Sequence, residues 1–140
     1  MKTIIDYLQE HKTYKHDVMG REFELCLYGH MLTITFNGSK WGIDIMKDPY
    51  VNWTIRDILE RKCKIEIRFC EECGKPIDEG FLIDDGSFYS CEDCFEVTMD
   101  KRYGKDNWRA TDQEGEWGGY YECMYNGVWE DTGIFWTQWY

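Results

Sequence analysis

The sequence predicts an α+β protein: an antiparallel β meander with short helices, a module built around four cysteines, and a C-terminal aromatic β-hairpin. Three observations carry this reading. Asn-Gly pairs at 37–38 and 126–127 each lie between strand-like runs, a strong hairpin signal because both positions tolerate positive φ. Thr3-Ile4-Ile5-Asp6 and Thr54-Ile55-Arg56-Asp57 both read as capped helix starts. Two Cys-x-x-Cys pairs, Cys70/Cys73 and Cys91/Cys94, punctuate the middle of the chain.

In order, the first helix places Ile4, Ile5 and Leu8 on one apolar face. A charged link follows it. "REFELCLY" then alternates, with Phe23, Leu25 and Leu27 on one side. Gly29-His30 makes a turn, "MLTITF" points Leu32, Ile34 and Phe36 inward, and "KWGIDI" supplies the third strand of a three-stranded meander. Asp48-Pro49 breaks the pattern, and the second helix runs from Thr54 to about Lys62 on Ile55, Ile58 and Leu59. "KIEIRF" alternates as a strand running into Cys70. "GFLIDDGSFYS" reads as a hairpin about Asp84-Asp85-Gly86, and "EDCFEVTMDKRYG" as a helix with Phe95, Met99 and Val97 packing back, ending at Gly104. "RATDQEGEWGG" has no apolar period and reads as a loop. "GYYECMY" and "VWEDTGIFWTQWY" form the last hairpin, with Gly133 a bulge or kink. Three segments result, 1–69, 70–104 and 105–140, expected to pack as one compact unit.

Seventeen residues separate the two cysteine pairs. A Cys-x-x-Cys turn sets two sulfurs on one ion, and two such turns complete the tetrahedron that zinc prefers. The expected cofactor is one structural zinc held by Cys70, Cys73, Cys91 and Cys94. An iron–sulfur cluster or a redox thiol pair is the alternative, less suited to the long gap. Gly74 can turn left-handed behind the first pair and Pro76 stiffens the exit. Cys91 and Cys94 fall in the first turn of a helix, whose dipole favours thiolate charge. Cys26, Cys63 and Cys123 remain, with Cys63 either a buried thiol or a spare ligand.

A knuckle with two ligands, a hairpin, then a helix with two more resembles the treble-clef class of zinc fingers. "CEECGKPIDEG…DDGSFYSC" is also similar to the first half of a LIM-type zinc module, except that Cys91 stands where that family has histidine and no second half follows. The resemblance covers residues 70–103 and implies a metal and a local fold.

The net charge of −11 is concentrated. Residues 1–69 hold 10 Asp/Glu against 11 Lys/Arg, whereas residues 70–140 hold 17 against 5, a balance of −12. Fingers that grip nucleic acid need cations to displace counterions from phosphate, so direct nucleic-acid binding by this half is disfavoured. A rigid acidic surface suits a basic one, and basic clefts on proteins usually hold nucleic acid. The expected role is therefore a zinc-stabilised acidic protein-binding module, an inhibitor or decoy on a partner's nucleic-acid-binding surface. In size, charge and lack of catalytic motifs it resembles the anti-restriction and anti-CRISPR class of phage and mobile-element proteins. Candidate partner-binding residues are Asp84, Asp85, Glu114, Glu116, Trp117, Glu130 and Asp131. Five of the seven tryptophans (Trp108, Trp117, Trp129, Trp136, Trp139) crowd the same half, one aromatic face serving as core and the other free to anchor an interface.

Two other classes stay open. A nucleic-acid-binding regulator could use Lys12, Lys15, Arg21, Arg56, Arg61, Lys62, Lys64 and Arg68 of the first half. An enzyme would need a pocket joining a histidine to carboxylates, yet no phosphate loop, Gly-x-Ser-x-Gly or His-Glu-x-x-His occurs, and His11, His16 and His30 fall in a charged loop and a turn. The expectation is no enzyme. The odd cysteine count and paired spacing point to a reducing compartment, with no leader and no membrane span, hence the cytoplasm, or a host's cytosol if the gene is a phage's.

Overall fold

The structure is a computed structural model and describes residues 3–83 and 88–139. Contacts divide the chain into two units: Met1–Phe69 with Cys73–Asp78 and Trp139–Tyr140, and Cys70–Glu72 with Glu79–Gln138. The fold is α+β, with three α-helices and antiparallel sheets among the described residues.

The first unit begins with α1 (Ile4–His11), closed at its start by a reciprocal capping box. Thr3 Oγ1 accepts the Asp6 N–H at 3.2 Å, and the Asp6 carboxylate accepts the Thr3 N–H at 2.9 Å. Strands β1 (Thr13–Val18), β2 (Arg21–Tyr28), β3 (Met31–Phe36) and β4 (Ser39–Asp44) then pair in sequence order as an antiparallel meander. Asn37 and Gly38 both carry positive φ, as a two-residue hairpin requires. Opposite pairs Leu25↔Ile34 and Leu27↔Leu32 put the apolar face of β2 against that of β3. Ile4 and Leu8 of α1 are fully buried in the same cluster.

The meander has four strands rather than three. The supposed charged link is β1, whose inward positions are filled by Tyr14 and His16, both partly buried by polar contacts, so hydropathy alone hid the strand. His16 Nε2 lies 2.8 Å from Asp78 Oδ1, and the Tyr14 hydroxyl lies 3.3 Å from His16 Nδ1.

Helix α2 (Val51–Ile58) starts three residues before the expected Thr54, directly behind Pro49. The Asp48 carboxylate holds this start, accepting the Tyr50 N–H at 2.8 Å and the Thr54 hydroxyl at 2.6 Å. A wider turn over Leu59–Cys63 ends at Lys64 with φ 57°. "KIEIRF" is only partly a strand. Ile65, Ile67 and Phe69 alternate into the core, but the ladder is limited to β5 (Arg68–Phe69) with β6 (Pro76–Ile77). The buried side chains explain the period; a pairing partner is lacking until residue 68 among the described residues.

In the second unit, β7 (Glu79–Ile83) and β8 (Phe88–Ser90) form the expected hairpin, whose tip lies outside the described residues. Helix α3 (Glu92–Tyr103) follows and stops at Gly104, φ 93°. Phe95, Thr98 and Met99 face inward; Val97, expected to pack back, is half exposed, because the inward stripe runs at spacings of three and four. Strand β9 (Trp108–Ala110) pairs with β10 (Tyr121–Tyr125), and β10 pairs with β11 (Val128–Asp131) across the Asn126-Gly127 turn. At Gly133, φ 71°, the chain bends. Strand β12 (Phe135–Gln138) then leaves that hairpin and pairs with β7. Phe81, Ile83, Phe95, Met99 and Ile134 make the core, with Trp108 and Tyr121 packed on it. The Phe81 and Phe95 rings stack at 3.8 Å.

Candidate metal centre

Cys70 emerges from β5, and a tight turn brings the chain to Cys73 and Gly74. Gly74 has φ 81°, and a Cβ there would fall 2.3 Å from the Thr3 carbonyl carbon and oxygen. Only glycine fits, for conformation and for space. Cys91 is the N-cap residue of α3, and Cys94 lies in its first turn. The four sulfurs lie within 4.8 Å of one another. A tetrahedron with metal–sulfur bonds near ~2.3 Å has edges of about 3.8 Å, so this grouping has the scale of one coordination sphere.

Cys70 and Cys91 are buried, while Cys73 and Cys94 are half-buried. The Cys91 N–H donates to Cys70 Sγ at 3.4 Å, and the Glu71 N–H donates to the Tyr89 carbonyl at 2.8 Å, fixing the knuckle against β8. Four converging thiols are soft, anionic donors, and the group can hold a metal ion. The α3 N-terminus adds positive potential beside them.

The remaining cysteines stay apart from this group. Cys63 is buried in the first core, where burial raises its thiol pKa against a lowering influence from Arg21. It packs as a small apolar group. Cys26 and Cys123 are half-buried free thiols, and Cys123 is pushed up by burial and by the neighbouring Glu130.

The acids near the cysteines are more engaged than their sequence suggests. Glu72 pairs with Lys101, Glu92 accepts the Trp136 indole N–H at 3.1 Å, and Asp78 faces His16. Burial, and then the Cys70 charge, raise the Glu71 carboxyl. The more exposed acids lie farther on. Glu114 and Glu116 sit on the loop before β10, and Glu130 projects from β11. Asp131 is half-buried and structural: it accepts the Trp117 N–H at 2.6 Å and the Gly133 N–H at 2.9 Å. Glu116, Trp117, Trp129, Glu130 and Asp131 line one groove of about 390 Å³, with Trp129 and Asp131 on one face of β11 and Glu130 on the other. Asp84 and Asp85 lie outside the described residues.

Trp129 was not singled out as a site residue. Its spacing of two from Asp131 on a strand was the available signal, since i and i+2 share a face. Among the aromatics, Trp108 and Tyr121 are core, whereas Trp117, Tyr120, Tyr125 and Trp136 are exposed. Of the histidines, His11 and His30 are open to solvent, but His16 is not: its side chain is 16% exposed because β1 places it against Asp78. No helix among the described residues is long and apolar enough to cross a membrane.

No protein-family model matches this chain, and neither a curated protein nor a solved structure gives a significant match.

Proposed function

We propose that the protein is a zinc-stabilised acidic binding module that occupies the basic nucleic-acid-binding surface of a partner protein, in the manner of anti-restriction or anti-CRISPR inhibitors. The observation that carries this reading is the four-sulfur cluster set at the start of the chain's acidic half, which holds 17 Asp/Glu against 5 Lys/Arg. Sulfur-only donors in two Cys-x-x-Cys turns favour zinc, and the order of knuckle, hairpin and helix around them supports a treble-clef reading. Four protein sulfurs also leave no open position for a water, which favours a structural ion over a catalytic one. A fixed acidic surface gains association rate and selectivity toward a cationic groove.

The test is capture of partners from a bacterial lysate by the zinc-loaded protein, with and without nuclease, across a salt series. A protein partner retained after nuclease, released by salt and lost on Glu114→Lys/Glu116→Lys supports the reading. Recovery of nucleic acid alone, or retention indifferent to salt and to both charge reversals, overturns it.

A further inference from the structure

We infer that the open edge of β4 pairs two copies of this chain, strand to strand and antiparallel, about a two-fold axis at Gly42. The pairing belongs to the sheet of the first unit and is independent of the acidic binding role.

Strand β4 ends the order β1-β2-β3-β4, and no other strand among the described residues pairs with its far side. The two-residue Asn37-Gly38 turn brings Phe36 and Ser39 together as a hydrogen-bonded pair. Trp41 and Ile43 therefore direct their backbone groups to β3. Ile45 keeps the same phase, its N–H donating to the His30 carbonyl at 2.9 Å. Lys40, Gly42 and Asp44 point theirs the other way. The Asp44 carbonyl accepts the Lys47 and Asp48 N–H groups, both at 3.1 Å. The Asp44 N–H and both backbone groups of Lys40 and Gly42 have no partner among the described residues. Lys40 and Gly42 are exposed, so another strand has access. The opposite edge strand, β1, is instead tied to Pro76 and Asp78 through Tyr14 and His16.

An open edge accepts many strands, and the side chains select the second copy. With Gly42 opposite Gly42, the antiparallel register sets Lys40 of each copy opposite Asp44 of the other. Lys40 is in no ion pair among the described residues. Asp44 Oδ1 accepts the Met46 N–H at 3.0 Å and meets His30 Nδ1 at 3.1 Å, which leaves Oδ2 for the lysine. The same register sets half-buried Trp41 opposite Ile43 of the second copy, continuing the apolar face across the axis. At the axis no side chain stands between the two backbones. On the outer face Met31, 40% exposed, leans over that gap with its sulfur 3.3 Å from where a Gly42 Cβ would lie, so one methionine from each copy covers the junction. A lysine on an edge usually deters added strands. Parallel pairing in register would set Lys40 beside Lys40, whereas the two-fold partner brings each lysine an acid and closes the assembly at two.

The test is sedimentation equilibrium of the zinc-loaded chain from micromolar to millimolar concentration, with amide exchange measured at both ends of the range. A monomer–dimer equilibrium is expected, the Gly42 and Asp44 amides slowing as the dimer fills. Gly42→Pro removes an outward N–H and leaves the β3 ladder whole, since proline is tolerated where an edge N–H faces solvent, and it should abolish the dimer. Lys40→Glu turns two attractive pairs repulsive and should weaken dimerisation about tenfold. Lys62→Glu, the same charge change at an exposed position on the turn after α2, should weaken it much less. Circular dichroism verifies each fold, and the two lysine variants decide the matter if Gly42→Pro is unstable. A chain that stays monomeric throughout, a dimer indifferent to a folded Gly42→Pro, or equal losses from Lys40→Glu and Lys62→Glu overturns the inference.

Discussion

The two units solve the problem of a stable interior in different ways. Among the described residues, the first holds a buried cluster of fifteen side chains, mostly aliphatic, drawn from a four-stranded meander and its helices. The second buries five in its core and leans on aromatic stacking and two short sheets. The larger aliphatic cluster removes more apolar surface from water than the five-residue core, so the second unit has to draw more of its stability from other contacts. Small cores of that kind are commonly completed by a metal or by disulfides. Three of the four clustered cysteines, Cys70, Cys91 and Cys94, belong to this unit.

Metal removal sharpens the contrast most. Chelation, or Cys91→Ser/Cys94→Ser, should withdraw on the order of 10 kcal/mol from the second unit. Amide exchange should then show β7–β12 and α3 unprotected while β1–β4 stay protected; uniform loss, or no loss, would break the comparison. Next in size is Phe95→Ala. Its ring stacks on Phe81 and meets Tyr121 at 4.8 Å, so about 3–5 kcal/mol should go, visible as a lower denaturant midpoint for the second unit.

Gly74→Ala tests the first unit. Left-handed backbone and the collision with Thr3 should together cost at least about 2 kcal/mol, read from the same exchange experiment on α1. The smallest effect is expected from Asp78→Asn. It keeps the size of the side chain but weakens the contact to His16, and about 1 kcal/mol should be lost from the β1 edge. A change near zero would mean that β1 is held by its ladder alone.

These contrasts follow what was readable beforehand. The Cys-x-x-Cys pairs, the Asn-Gly turns, the Thr3 cap and the Gly104 stop depend on residues within a few positions of one another, and local chemistry is written locally. Strand β1 was missed because Tyr14 and His16 are buried by hydrogen bonds to residues more than sixty positions away. "KIEIRF" was overread because alternation reports burial, and burial does not guarantee a pairing edge. Gly133 signalled a bend, but nothing nearby could say that β12 would cross to β7. The groove at Trp117 was partly legible: its acids and one indole were named, while Trp129 joined them only through the register of β10 with β11.

That crossing of β12 has a temporal consequence. During synthesis the meander can close hairpin by hairpin as each strand emerges, since its pairings join consecutive strands. The edge of β7 must instead wait for Phe135–Gln138, more than fifty residues later. At about 5–20 residues per second, that interval is several seconds during which the nascent hairpin carries an open strand edge. An ion captured early by the thiolates would hold the hairpin and α3 together through that exposed period, serving as a folding clamp as well as a brace for the finished protein.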